Sequence, residues 1–265
     1  MKSGNSLGDA MLRLLESLRK SESEEERRIL EIASGAAAFL SRSGQRHRFE
    51  DFNKAMKPGP IPSVSFAEEI RFLEHWWARA PSASEKDSLL VAIRALAYIE
   101  SSGQREALDD YLVYWRNSTL PPVIAVFQTR DEAEAWMDAQ LPPPTMASIL
   151  IADSYHLVLA SRERREPLFA RVPIVAEFIE GALDNGLPPA VASFETREQA
   201  EAWHASVPDP PRHAFITIQG EHHVAAYWKN VNHRALYPFT LADELKKERR
   251  ERDERLAHRE KDEGE

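Results

Sequence analysis

Histidine is the best candidate in this sequence for a catalytic or metal-binding role, since imidazole acts near neutral pH as a general base or a metal ligand. Five of the nine histidines fall in one stretch of the chain: His204, His213, His222, His223 and His233. The neighbours His222 and His223 would leave a strand on opposite faces, so a regular strand cannot offer both to one ion. No HExxH motif or His-x-His pair accompanies them. The sequence therefore predicts neither a metal centre nor a cofactor.

Other catalytic signatures are also missing from the sequence. It has no Gly-rich phosphate loop, no G-x-S-x-G elbow and no paired-carboxylate pattern. The absence of cysteine excludes disulfides, thiolate nucleophiles and Cys-ligated zinc. A dyad of His223 with Glu221 or Asp209 stays open. The sequence thus favours a non-catalytic protein, and the alternative is a hydrolase or nuclease-like enzyme that uses the five clustered histidines between residues 204 and 233.

The balance of charge indicates the kind of partner. With 34 Lys and Arg against 43 Asp and Glu, the formal net charge is -9. Nucleic acids and anionic membranes bind cationic surfaces, so both are disfavoured as partners and a basic protein is favoured. No apolar run of about 18 residues and no signal-peptide h-region occurs, which predicts a cytoplasmic protein. A homo-oligomer is compatible with these features.

A gap-free internal duplication organises the C-terminal half. Residues 120–136 read LPPVIAVFQTRDEAEAW and residues 187–203 read LPPAVASFETREQAEAW, with 11 of 17 positions identical at an offset of 67. In each copy a short apolar run leads to Thr129 or Thr196, which caps a helix. Prolines end the helix, and two apolar stretches separated by the turn residues Asp153-Ser154 or Gly220-Glu221 then predict a hairpin. Each copy is therefore predicted as strand–helix–strand–strand, with a further helix after it.

The N-terminal half has helical periodicity and a fainter echo of its own. The tetrapeptide Ser-Gly-Gln-Arg occurs at 43–46 and again at 102–105, each time at the end of an apolar helical pattern. We interpret the glycine as a left-handed helix cap, followed by a short helix whose aromatic residue, Phe52 or Tyr111, packs back. A ligand loop is the less favoured interpretation.

The aromatic and basic residues supply candidate binding positions. Trp76 and Trp77 are adjacent on a predicted helix, so with Trp77 facing inward Trp76 lies on the flank, where it meets either the rest of the chain or a partner. An Arg-rich stretch after the first hairpin is a candidate recognition loop. The predicted binding residues are Trp76, Arg162, Arg164, Arg165, His222, His223 and Trp228. By contrast, Trp136 and Trp203 are interpreted as core anchors.

Two resemblances are carried by the duplicated residues. The pattern F-x-T-R-[DE]-x-A-E-A-W after a strand looks like the opening of the SPOR domain, a strand–helix–strand–strand fold, and that resemblance implies peptidoglycan binding. More of the chain, from the Ser-Gly-Gln-Arg helix end to the YHLV and HHVA hairpins, resembles a set of myxobacterial paralogues. Some of those proteins look like toxin-immunity proteins, which implies a role in masking a toxin.

Together these observations predict an α+β protein in four parts: a helical domain, 1–118; two tandem strand–helix–strand–strand–helix repeats, 119–186 and 187–245; and a charged tail, 246–265. The predicted function is a protein-binding protein, specifically an immunity protein that neutralises a cationic toxin. Besides the enzyme alternative, a self-associating structural or regulatory scaffold stays open.

Overall fold

The computed structural model describes residues 7–56, 65–117, 119–160 and 168–262, with side chains as far as residue 257. Helices occupy the described part of the N-terminal half, and two four-stranded sheets follow. The α+β class with two tandem repeats is thereby confirmed. By its contacts the chain divides into two compact units, one of residues 1–151 and 156–170, the other of residues 152–155 and 171–265.

The helical half is itself a duplication, which the sequence revealed only around Ser-Gly-Gln-Arg. Shifting the first three helices by 59 residues reproduces the next three: α1 Leu7–Lys20, α2 Glu24–Arg42 and α3 Arg46–Ala55; α4 Ala67–Arg79, α5 Ala83–Ser101 and α6 Arg105–Asn117. The caps coincide as well. Ser23 accepts a hydrogen bond from the Glu26 amide at 3.3 Å, and Ser82 accepts one from the Glu85 amide at 3.2 Å. Local capping chemistry thus sets both long helices at equivalent points.

The two Ser-Gly-Gln-Arg turns meet each other. Gly44 and Gly103 both have left-handed backbone, with φ of 76° and 68°, which confirms the interpretation as helix caps. Between the turns, Gln45 and Gln104 exchange hydrogen bonds through their side-chain amides, and Gln104 Nε2 lies 2.7 Å from Gln45 Oε1. The two three-helix copies therefore touch through the same residue of each.

The aromatic rings after the turns cross over in the same way. Phe39 packs edge-on against Tyr111 at 5.6 Å, and the equivalent pair, Tyr98 and Phe52, lies at 5.3 Å. Phe52 and Tyr111 do pack back as the sequence predicts. Each ring meets a ring of the other copy, so the core of the helical half depends on both copies.

The two repeats have the following elements: β1 Val126–Phe127, α7 Arg130–Asp138, β2 Ala147–Ile151, β3 Ser154–Leu159, β4 Leu168–Arg171 and α8 Ile174–Asp184; then β5 Ala192–Phe194, α9 Arg197–Ser206, β6 His213–Ile218, β7 Glu221–Trp228, β8 His233–Pro238 and α10 Thr240–Asp262. The sheets run in the orders β1-β2-β3-β4 and β5-β6-β7-β8. The fourth strands, β4 and β8, were not predicted. They are short and contain arginine or proline, so period-2 alternation does not mark them.

Strand pairing preserves the offset of 67. The parallel pair Phe127 with Ile151 becomes Phe194 with Ile218. Ring packing is preserved too, because Phe127 lies 5.4 Å from Trp136 and Phe194 lies 5.4 Å from Trp203. Both tryptophans are half-buried against the small core between the helix and the sheet of their own repeat. This placement agrees with their interpretation as core anchors.

The hairpin turns place the first residue of the site. Ala152 and Asp153 form the two-residue turn between β2 and β3, with φ of 46° and 59°, and Gln219 and Gly220 form the equivalent turn in the second repeat. Positive φ at both central residues is the type I′ geometry that matches strand twist. The turns predicted from the sequence, Asp153-Ser154 and Gly220-Glu221, each lie one residue too far along the chain. The register that results leaves the Asp153 carboxylate at the end of the sheet.

Candidate functional site

The candidate site lies on one face of the second sheet, and strand alternation decides which side chains reach it. The helix α9 covers the opposite face, where Ile216 and Leu236 pack against it. The alternate residues of β6, β7 and β8 that do not face α9 therefore have their side chains on the other face of the sheet, which we call the ring face. Its aromatic and histidine members are His213, Phe215, His222, Trp228, His233 and Tyr237.

One half of the ring face is a cluster of aromatic side chains. Phe178 of α8 stacks on Phe215 at 6.2 Å and meets His213 edge-on at 4.8 Å. Phe239 continues the cluster, with Phe215 at 5.9 Å and His222 at 5.5 Å. Burial and the neighbouring Arg212 lower the pKa of His213. His213 and His222 therefore belong to an aromatic packing cluster.

The other half of the ring face centres on Trp228. Its ring is 1% exposed, and its indole N–H donates to the hydroxyl of Tyr155 at 3.0 Å. His233 stacks on the same indole at 5.7 Å, and Tyr237 approaches it edge-on at 6.3 Å. A predicted binding residue is thus an enclosed anchor around which the polar groups of the site are arranged.

An aspartate–histidine pair stands beside this anchor. His233 Nε2 lies 2.7 Å from an Asp153 carboxylate oxygen, and the Tyr237 hydroxyl donates to the Asp153 backbone carbonyl at 2.8 Å. Burial raises the pKa of Tyr237, with Tyr155 and Asp153 as lesser causes, so this phenol stays a proton donor at neutral pH. The Asp153 turn is therefore held from both its side chain and its backbone.

A cleft with a volume of about 190 Å³ opens next to this pair. Its apolar surface includes Tyr155, Val175, Tyr237 and Leu241. Sites for drug-sized ligands are usually about 300–1,000 Å³. This cleft is therefore of a size for one side chain or a small fragment.

The polar surface of the cleft carries more negative than positive charge. Asp153, Glu244 and Glu248 contribute carboxylates, and Arg171 contributes a guanidinium. Within the described residues no ion pair or hydrogen bond engages the side chains of Arg171, Glu244 or Glu248. These groups are available to a ligand, and the arrangement suits an apolar stem that ends in a cation.

The remaining histidines of the second repeat lie away from the ring face. His223 is buried, its Nδ1 is 3.0 Å from the Glu221 carbonyl, and its strand neighbour His222 faces the other way, as alternation predicts. His204 of α9 is 3% exposed and stacks on Trp203. Burial, with a smaller contribution from Arg234, lowers the pKa of His204 to about 4. Among the described residues, no three His, Asp or Glu side chains are grouped as a metal-ligand set.

The other predicted site residues are dispersed. Trp76 is half-buried against the helical core with Phe72 at 5.8 Å, whereas Trp77 is 40% exposed, so the inward position predicted for Trp77 is wrong. The buried stripe of α4 continues from Ile70 and Leu73 to Trp76, three residues after Leu73. Arg162, Arg164 and Arg165 lie outside the described residues.

Sequence reasoning missed the residues that form the cleft. Asp153 was interpreted as turn chemistry alone, although its counterpart Gly220 shows that a carboxylate is not needed at the turn. That asymmetry between otherwise equivalent turns is the signal that singles out Asp153. Nothing in the pattern pairs it with His233, which is 80 residues further along the chain.

No protein-family model, curated protein or solved structure matches this chain. None of its described helices is both long and apolar enough to cross a membrane.

Proposed function

We propose that this protein is a non-catalytic binding protein for a basic protein partner, and that the cleft beside Asp153 receives a lysine or arginine side chain of that partner. The observation that carries the proposal is the combination of an apolar cleft wall with the carboxylates of Glu244 and Glu248, which are paired with no described side chain. A lysine or arginine stem would lie along Tyr237 and Leu241, and its charged end would meet the carboxylates.

The charge of the surrounding repeats supports the same partner. Residues 119–245 contain 17 acidic and 9 basic side chains, so nearly all the net negative charge of the chain belongs to the two repeats. A field of one sign steers a partner of the opposite sign and accelerates association. Inhibition of a cationic toxin by masking its surface is the narrower role that we propose, following the resemblance to immunity-like paralogues.

Capture from native lysate at low salt tests this proposal. A double variant, Glu244→Gln with Glu248→Gln, removes charge from the cleft, and Glu251→Gln with Glu254→Gln removes the same charge from exposed positions of the same helix. We expect the wild type and the second variant to retain a basic protein that the cleft variant loses. Recovery of the same proteins by both variants would contradict the proposal.

Salt provides the second measurement. Binding of the captured partner should weaken between low and physiological ionic strength, mainly through slower association, because peripheral charges steer the encounter. An affinity that does not change with salt would oppose a charge-guided complex.

The Asp153–His233 pair is the observation that favours the enzyme alternative, since a carboxylate orients an imidazole in many general-base sites. His233→Gln separates the two functions. The binding proposal expects the partner to be retained by this variant. Loss of a hydrolytic activity, together with unchanged partner capture, would instead favour the enzyme.

A further inference from the structure

The two duplications give the chain two Ser-Gly-Gln-Arg turns and two repeats, and in the described structure only the first turn packs on a repeat in this way. The first Ser-Gly-Gln-Arg turn packs on the first repeat: a Cβ placed on Gly44 would lie 2.5 Å from Pro144 Cβ and 3.3 Å from Ala147 Cβ. Pro144 and Ala147 are buried. The absence of a side chain at Gly44 is therefore what allows the turn to approach the repeat this closely.

Among the described residues, the second turn has no such neighbour. Gly103 corresponds to Gly44 at the offset of 59 and shares its left-handed backbone. A Cβ placed on Gly103 would meet no described atom within 4 Å. The conformation that docks in the first three-helix copy is thus presented to solvent in the second.

The second repeat has the complementary property. Leu120 is fully buried in the first repeat, whereas its counterpart Leu187 is 59% exposed. Ile124 packs against the core of its repeat, whereas its counterpart Val191 is 68% exposed. Pro211, the counterpart of the buried Pro144, is also exposed.

For Val191 this difference does not come from the strand pairing. The Ile124 amide donates to the Ser148 carbonyl at 2.9 Å, and at the same offset the Val191 amide donates to the Phe215 carbonyl at 2.8 Å. The two segments thus have the same strand partner. What differs is whether the apolar side chains are covered.

We infer that a second copy of this chain covers them: the Gly103 turn of one copy docks on the surface formed by Leu187, Val191 and Pro211 of another. Substitutions at the equivalent positions are complementary in charge. Glu106 stands where the first turn has His47, and Arg212 stands where the first repeat has Thr145. An opposite charge beside each surface favours this pairing over contact of either surface with itself.

The proposed contact joins two different surfaces, which determines how copies of the chain can assemble. Each copy contributes two different surfaces, a turn and a repeat edge. If two copies exchange them reciprocally the assembly closes as a dimer, and if they do not it grows by head-to-tail addition. The cleft carboxylates take no part in this contact in either assembly. The double variant Glu244→Gln with Glu248→Gln should therefore assemble normally.

Engineered cysteines test the contact directly, because the chain has no cysteine of its own. A Ser102→Cys protein mixed with a Pro211→Cys protein should give a cross-linked pair under mild oxidation. The matched mixture of Leu12→Cys, at a position that is 62% exposed on α1, with Pro211→Cys should give none. Equal cross-linking in both mixtures, or cross-linking in neither, would overturn the inference.

Sedimentation of the full chain gives an independent result. We expect self-association that Val191→Glu reduces at least tenfold and Leu12→Glu leaves unchanged, with circular dichroism confirming that both variants fold. Glu106→Arg and Arg212→Glu should each weaken assembly, and their combination should restore it. A chain that is monomeric at about 100 μM, an assembly insensitive to Val191→Glu, or a different protein bound at Val191 would each refute the contact.

Discussion

The indole N–H of Trp228 donates to the hydroxyl of Tyr155 at 3.0 Å, and both side chains are almost fully buried. Tyr155→Phe keeps the ring and removes this acceptor. Because a buried polar group that loses its partner costs about 1–3 kcal/mol, we expect the free energy of unfolding to fall by about that amount. Chemical denaturation followed by tryptophan fluorescence measures it. A loss below about 0.5 kcal/mol would mean that the hydrogen bond contributes little.

His204 should make stability depend on pH. Its pKa is near 6.5 when the chain is unfolded and about 4 in the fold, because burial disfavours the imidazolium. Between these values the unfolded chain binds a proton that the folded chain does not, so stability falls as the pH decreases from 6.5 to 4. The contribution is at most about 3 kcal/mol.

His204→Phe keeps a ring against Trp203 and cannot titrate, so its stability should fall less over this range of pH. Urea denaturation at several pH values gives the comparison. A wild-type-minus-variant difference that is constant with pH would show that His204 does not carry the effect.

The equivalence of the repeats makes a paired prediction. Trp136 and Trp203 each lie 5.4 Å from a phenylalanine and are half-buried, so replacement of either by alanine should cost about 2–4 kcal/mol, somewhat less than for a fully enclosed ring. Chemical denaturation of the two variants checks it. A cost below about 1 kcal/mol for either would argue against an anchoring role and would make that tryptophan a candidate for binding.

The Gln45–Gln104 pair should show direct coupling. A double-mutant cycle with Gln45→Ala and Gln104→Ala isolates the interaction between the two amides, and we expect a coupling of about 0.5–1.5 kcal/mol. Additive costs would mean that each glutamine is stabilised mainly by other contacts, such as the hydroxyl of Ser43 or Ser102.

Local pattern predicts those parts of this molecule whose cause is local. The caps at Thr129 and Thr196, the glycine turns at Gly44 and Gly103, and the α+β class all follow from spacing within a few residues.

The site could not be predicted in the same way, because its contacts join distant parts of the chain. Asp153 and His233 come from hairpins of different repeats, 80 residues apart. The predicted residue Trp228 is enclosed by partners that local spacing does not indicate. The choice between Trp76 and Trp77 failed for a smaller reason. Adjacent helical residues differ by about 100° in direction, so a modest rotation of α4 exchanges which one is buried.

The meeting of Gln45 with Gln104 bears on how much sequence the helical half has to specify. When two copies of a unit touch through the same residue, one self-complementary surface defines the whole contact. The same short sequence then supplies both sides of that contact. Other positions of each copy can then change in side chain while the contact between the copies is kept. Phe49 and Leu108 are such a pair of equivalent positions, and both are buried. The position is apolar in both copies although the side chain differs.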